Sequence, residues 1–447
     1  MDKNCFQVGF GRVDITPTES VPLSGYGNTS SRMSNNVINR LYSTCLAFTD
    51  EDGETVLLYH NDLQESHTDI MTDAREQISR AVGIPMDHIM ISATHIHSGP
   101  DLWNRDEPSI LRYDACIPGW LIQAAQEALA DRKPATMAIG RIVCPNMNFG
   151  RHYLLHDGTY CGPSFGDPEG KTYVSHAVDV DHTMQAVKFT RQGGKPIVLV
   201  NWQTHPTRTG GGKKLDIASD VVGVIRQIVE EKEDALVAYF TGASGNVEIR
   251  SRIAGENVAH DLMSHGTALA NYALQILENL KPVNTGKVKI TSRIHTGTVN
   301  HTEDHKVEAA REVYKHWRES CDPVSTIAMG KPHGINSGYH AGAIISKSKM
   351  PATYDVQVWA LSIGDVAFAI APYEMFDANG KFIKGNSPFE MTFIATCANG
   401  NLAYIPSAFF YTLDCYERNF CRFSPGIGEE LADRYLEMLK ELKGESC

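Results

Sequence analysis

His88-Ile-Met-Ile-Ser-Ala-Thr-His-Ile-His-Ser-Gly-Pro100 opens as an apolar β-run, His88–Ser92, and then turns abruptly to chemistry. If the strand continued, His95 and His97 would share one face and offer two imidazoles to one site. Polar loop histidines explain an isolated His-x-His as well as a metal ligand pair does.

The same arrangement recurs along the chain. Pro196–Trp202 reads as a buried strand followed by Gln203-Thr-His-Pro-Thr207, which puts His205 just past a strand end, stiffened by Pro206. Val366–Ala371 runs into Pro372-Tyr-Glu374, and Phe393–Cys397 runs into Ala398-Asn-Gly-Asn-Leu-Ala-Tyr404. Open α/β sheets bind their ligands just beyond strand carboxyl ends. Two imidazoles and a carboxylate, with a position left for water, form a donor set that zinc accepts. Spacing alone does not select Tyr404, because phenolate is an uncommon ligand.

Further strand-like runs at Thr55–Tyr59 and Leu236–Phe240 alternate with helix-like stretches at Asp69–Val82, Leu121–Asp131, Ser219–Glu231, Asn257–Leu280, Val307–Glu319 and Gly428–Leu442. This alternation predicts an α/β layered fold, with a mixed or mostly parallel sheet flanked by helices. Asn146–Lys171 and Arg208–Lys214 read as binding loops, Met329–Pro351 as an irregular stretch, and Lys281–Gly286 as a seam that demands no boundary. Candidate ligands spread from His95 to Tyr404 must converge, so residues 1–447 are expected to form one large catalytic domain.

Composition narrows the function. Of 447 residues, 42% are apolar and 21% charged, and 41 basic against 53 acidic side chains give a formal charge of -12. An acidic chain without a Lys/Arg cluster is a poor ligand for nucleic acid or an anionic membrane. Neither a signal-peptide core nor a run of ~20 apolar residues is present. Ten cysteines without CxxC spacing read as reduced, mostly buried thiols, which places the protein in the cytoplasm.

Together these motifs resemble the catalytic domain of the neutral/alkaline non-lysosomal ceramidases, zinc-dependent hydrolases that cleave the amide of N-acylsphingosine. The resemblance is carried by Val8-Gly-Phe-Gly-Arg-Val-Asp-Ile-Thr-Pro17, Pro22-Leu-Ser-Gly-Tyr-Gly27, Thr94-His-Ile-His-Ser-Gly-Pro100, Asn201–Thr207, Ser219-Asp220, Pro372-Tyr-Glu374 and Asn399–Pro406, in the family's order. It implies Zn2+ held by His95, His205, Glu374 and Tyr404, with His97 stabilising an oxyanion and Arg151 holding substrate. Where the family reads G-D-V-S-P-N, this chain reads Gly245-Asn-Val-Glu-Ile-Arg250, so a serine nucleophile loses support. Gly242-Ala-Ser-Gly245 is expected to form a tight turn.

Ser244, Asn246, Glu248 and Asp62 are the candidates for substrate contact. Glu248 would recognise an amine or hydroxyl, or pair with Arg250 or Arg252; Asp62 serves equally as a helix cap. Tyr416-Glu417 resembles a family pair that core packing also explains, and His152, His156, His333 and His340 are placed in loops that could touch substrate. The family's secreted members append an Ig-like sandwich, whereas this sequence ends soon after the helix-like Gly428–Leu442, and an enzyme acting on something more soluble than ceramide is the expectation. The expectation is therefore a zinc-dependent hydrolase acting through a metal-bound water on an amide or related acyl bond of a small soluble N-acyl substrate. A true ceramidase acting on lipid and a non-catalytic metal- or ligand-binding protein are the alternatives.

Overall fold

A computed structural model describes residues 5–26, 32–65, 67–163, 170–210 and 214–445. Parts of both predicted binding loops, and Gly27 of the amino-terminal motif, lie outside the described residues.

The larger sheet is built from β1 (Gln7–Asp14), β2 (Tyr42–Thr49), β3 (Thr55–Asn61), β4 (Ile89–Ala93), β5 (Lys133–Val143), β6 (Thr183–Arg191), β7 (Ile197–Trp202) and β8 (Leu236–Thr241). Their order is β8-β7-β6-β5-β1-β2-β3-β4, with the short Lys281–Val283 added beside β5. The sheet is mixed, as expected, but not mostly parallel: only the end pairs β7–β8 and β3–β4 are parallel, and the middle is antiparallel. Short turns join β2 to β3 and β6 to β7, whereas each parallel end pair encloses a helix crossover. Outside this sheet pack α1 (Thr68–Val82), α2 (Pro108–Ala130), α3 (Asp220–Glu233) and α4 (Leu262–Glu278).

A second sheet, β9 (Val288–Thr298), β10 (Thr353–Ile363), β11 (Val366–Ile370) and β12 (Met391–Ala395), lies against the inner face of the first. Val8, Phe48, Leu58, Phe189, Leu199 and Phe240 meet Trp359, Leu361, Phe368 and Phe393 in a shared apolar layer. After α5 (Val307–Ser320), α6 (Pro323–Gly330) and α7 (Gly338–Lys347) come α8 (Asp377–Asn386), α9 (Tyr416–Phe420) and α10 (Ile427–Lys443). The last of these covers the outer face of the second sheet through Leu431, Tyr435 and Leu439. The result is four layers, helix–sheet–sheet–helix.

The stretch expected to be irregular, Met329–Pro351, is instead mostly helical: Ser337 caps α7 by accepting from the His340 amide, and Gly342 lies against the Tyr314 ring. His340 is thereby buried against Glu303 at 3.1 Å, while His333 is exposed at a turn.

The carboxyl ends of the parallel pairs meet at one place. Asn399 ties β4 to the segment after β12, its side chain accepting from the Ile91 amide at 2.8 Å and its own amide donating back to the Ile91 carbonyl. The Thr241 hydroxyl at the end of β8 donates to the Thr94 carbonyl at 2.7 Å. Asn201 on β7 donates to Ile394 on β12 at 2.9 Å.

Candidate metal centre and active site

His95 follows β4 in left-handed backbone (φ 65°), and Cys397 (φ 52°), Asn399 (φ 58°) and Ala403 (φ 62°) adopt the same region in the loop after β12. Non-glycine residues there cost roughly 1–3 kcal/mol each and persist only where surrounding bonds over-determine them. Here the His95 amide donates to Leu63, and the Ala403 amide to the Asn401 side chain at 2.6 Å. Glu374 and Tyr404 are brought level by a short parallel pairing of Glu374–Met375 with Tyr404–Ile405.

The imidazoles of His95, His97 and His205 are buried, with nitrogens all within 4.8 Å of one another, a group able to hold a metal ion. Their tautomers follow from their outer partners. His95 Nδ1 lies 2.7 Å from the Gln64 carbonyl, and His205 Nδ1 lies 2.9 Å from the Val247 carbonyl. Carbonyls only accept, so both Nδ1 atoms carry hydrogen and both lone pairs sit on Nε2. Those Nε2 atoms face one carboxylate oxygen of Glu374, at 3.3 and 3.1 Å, and that oxygen receives no hydrogen bond. With these side chains neutral, three electron pairs thus converge in a buried space, where Arg151 Nη1, 3.3 Å from His205 Nε2, is a fixed cationic donor at the edge. Such a nest is repulsive unless a cation occupies it.

The surrounding charges respond accordingly. Burial pulls the His95 pKa down, but Glu374 and Cys397 outweigh it and hold it well above the usual histidine range, so without a metal ion the nest draws in a proton in its place. Burial raises the Glu374 carboxyl, and the two imidazoles overcome that to hold it well below the carboxylate range. His97, 3.5 Å from His95 Nε2, is kept neutral by burial and its two histidine neighbours. Burial and Glu374 hold the Tyr404 phenol protonated.

Arg151 closes one side. Its Nη2 donates to the Gly245 carbonyl at 2.9 Å, Nη1 lies 3.3 Å from His205 Nε2, and its guanidinium sits 5.2 Å from the centre of the Tyr404 ring. The structure therefore brings together all six of the residues proposed as ligands or catalytic groups.

The proposed substrate contacts are placed differently. Ser244 and Asn246 form the tight turn after β8, as expected of Gly-Ala-Ser-Gly, with the Val247 amide donating to the Ser244 carbonyl at 2.8 Å. What this turn approaches is the Glu374 strand: a Cβ on Gly245 would lie 2.8 Å from the Glu374 carbonyl. Asn246 accepts from the Asp377 and Arg151 amides. Glu248 stands beside His205, its Oε1 accepting from the Thr207 hydroxyl and the Ile249 amide, while Arg250 and Arg252 donate to the Thr207 and Pro163 carbonyls. Asp62 lies in the interior, paired with Arg226 at 2.8 Å and accepting from the Tyr42 amide at 2.9 Å. His156 is exposed on its loop, and His152 is buried against Glu417.

Three further neighbours of the site are not among the residues singled out from the sequence. Cys397 Sγ lies 3.6 Å from His95 Nδ1. Glu65, whose carboxyl burial and Glu374 push up to about 7, accepts from the Trp103 indole. Tyr26 packs edge-on against His97, with ring centres 5.3 Å apart. A polar residue one or two positions past a buried strand could have flagged Cys397.

Comparison with known proteins bears on the family and the fold. The family model described as neutral/alkaline non-lysosomal ceramidase, N-terminal, matches residues 6–247. The crystal structure of the neutral ceramidase from Pseudomonas aeruginosa shares the fold at a TM-score of 0.72 and 14% identity, over 99% of this chain and 75% of that one. A structure of a ceramidase complexed with C2 gives 0.73 and 14%, over 99% and 76%.

Proposed function

The chain belongs to the neutral/alkaline non-lysosomal ceramidase family, and from that membership we propose a zinc-dependent hydrolase of the amide bond in a small N-acyl amine, with residues 1–447 acting as one catalytic domain. The observation that carries the reading is the Glu374 oxygen facing the Nε2 atoms of His95 and His205, whose Nδ1 atoms are tied to backbone carbonyls.

His95, His205 and Glu374 would hold the metal, with Tyr404 as a fourth donor. A zinc ion held by these residues would supply Lewis acidity and a water whose pKa falls to ~7, so that no serine nucleophile is needed. The Gln64 and Val247 carbonyls fix the ligand tautomers. His97, neutral and beside the ligands, donates to the oxyanion of the tetrahedral intermediate, where losing one donor typically costs about 10²–10³ in rate. The same imidazole can pass a proton to the leaving amine. Arg151 brings a fixed positive charge to the acyl oxygen.

Polar groups beside His205, notably Glu248 and Thr207, support a polar leaving group over a bare hydrocarbon chain. Among the described residues no helix is long and apolar enough to cross a membrane. Buried thiols at Cys45, Cys144, Cys397, Cys415 and Cys421 support a cytoplasmic setting. A second reading, true ceramidase activity on a lipid, is favoured by the family and the shared fold.

The deciding experiment assays the zinc-reconstituted protein against long- and short-chain ceramides, N-acyl amino acids, N-acyl amino sugars and lactones. Turnover of small N-acyl amines without ceramide turnover supports the first reading, and ceramide turnover supports the second. No turnover of any of them overturns both.

A further inference from the structure

Glu417 is fully buried on α9, far from Arg151 in sequence; its Oε2 is hydrogen-bonded to His152 and its Oε1 is in ion-pair contact with Arg151. Oε1 lies 2.6 Å from Arg151 Nε, and Oε2 lies 2.8 Å from His152 Nε2. We infer that Glu417, itself locked by His152, is a positioning residue that fixes Arg151 so that Nη1 is the nitrogen presented to the candidate metal centre; this rests on the function proposed above.

A guanidinium is planar and offers two pairs of donor edges. With Nε against Glu417 and Nη2 on the Gly245 carbonyl, rotation about the side chain is stopped at two points. Only Nη1 remains, beside the His205 nitrogen that also faces Glu374. Tyr404 supports the guanidinium from one face. The charge balance requires the same partner, since a guanidinium next to a divalent cation is repelled unless an anion sits close by.

The lock is built as firmly as the pair it holds. The His152 ring packs against Phe410 with centres 4.7 Å apart and against Phe376 at 6.2 Å. His152, Cys415 and Glu417 lie close enough to suggest a second metal group. Their chemistry speaks otherwise: the Arg151 guanidinium already neutralises Glu417 and would repel a second cation, His152 takes the other Glu417 oxygen, and burial together with Glu417 pushes the Cys415 thiol well above its usual range.

The test uses acetohydroxamate as an oxyanion probe, titrated calorimetrically into zinc-loaded protein. Losing one charge-assisted hydrogen bond weakens binding by roughly 10–100-fold, which is the loss expected for Arg151→Ala and for Glu417→Gln, with zinc content unchanged. In the double variant the Glu417 change should add less than about twofold, because its effect runs through Arg151. Arg151→Lys should not rescue, since an ammonium cannot be held at two edges. Wild-type affinity in Glu417→Gln, or a loss that persists in the Arg151→Ala background, overturns the inference. Should Glu417→Gln fail to fold, His152→Gln is carried through the same cycle, with the same outcomes expected and the same ones overturning the inference. A zinc-loaded wild type that does not bind the probe instead brings down the functional reading.

Discussion

Replacing Gly25 by alanine would place a methyl carbon 2.5 Å from Cγ and Nδ1 of His97 and 2.6 Å from its Cβ. Ordinary carbon contacts lie at about 3.5–4.0 Å, so the ring must retreat by roughly 1 Å. It cannot do so freely, because it is buried among Tyr26, His95 and His205, with ring centres at 5.3, 5.0 and 5.5 Å. Gly25 also has φ 98°, where a side chain is strained. Left-handed backbone costs about 1–2 kcal/mol and overpacking about 1–3, for a total destabilisation of ~2–5 kcal/mol by urea unfolding. The effect on rate is larger than stability alone implies, since ~1 Å of misplacement at a reacting centre can cost about 10²-fold. The assay is kcat on the best N-acyl substrate of the wild type, with zinc content measured alongside; kcat should fall about 10²-fold while zinc stays, and in a His97→Ala background the Gly25 change should add little. A folded, zinc-loaded variant with kcat within about threefold of wild type would refute the role given to His97.

Other consequences are testable separately. Asp62→Asn leaves Arg226 buried without its counter-charge; it should lose about 3–5 kcal/mol in urea unfolding, and the surviving folded fraction should keep its KM, whereas a raised KM alone would return Asp62 to the substrate. Zinc removal by dipicolinate should lower the unfolding midpoint, because a ligand at 1,000 times its Kd stabilises by about 4 kcal/mol; an unchanged midpoint would count against a resident ion. Burial raises the Glu303 carboxyl, but His340, Lys306 and Lys347 overcome it and depress its pKa below the ordinary 4.5. A depressed carboxylate contributes stability that is full above the unfolded value and is lost as pH falls toward the folded one. Glu303→Gln should therefore flatten the stability profile below about pH 4.5, and an unchanged acid limb would show that the cluster contributes nothing.

The site was more legible than the scaffold, for physical reasons. Each candidate ligand stands just past a short apolar run, and parallel strands buried on both faces leave that mark. The central antiparallel strands did not: Gln7–Asp14 carries Gly9 and Gly11, whose missing Cβ atoms let the Ala128 and Ala124 carbonyls of α2 approach. The start of α2 was hidden by Pro118 within it, so only its second half, from Leu121, read as a helix. Asp62 was misleading because a polar residue past a strand also suits a buried ion pair, and nothing near it in sequence announces Arg226. Glu417 was visible as part of a motif, yet its partnership with Arg151 belongs to the tertiary fold alone.

The central claim is that Glu374 and the two Nε2 atoms face a cation. Zinc stoichiometry after reconstitution and dialysis, measured by mass spectrometry on wild type, His95→Ala, His205→Ala and Glu374→Gln, addresses it directly. About one zinc per chain in the wild type and less than about a tenth of that in each variant is the predicted result. A metal-free wild type, or variants that retain the ion undiminished, would contradict it.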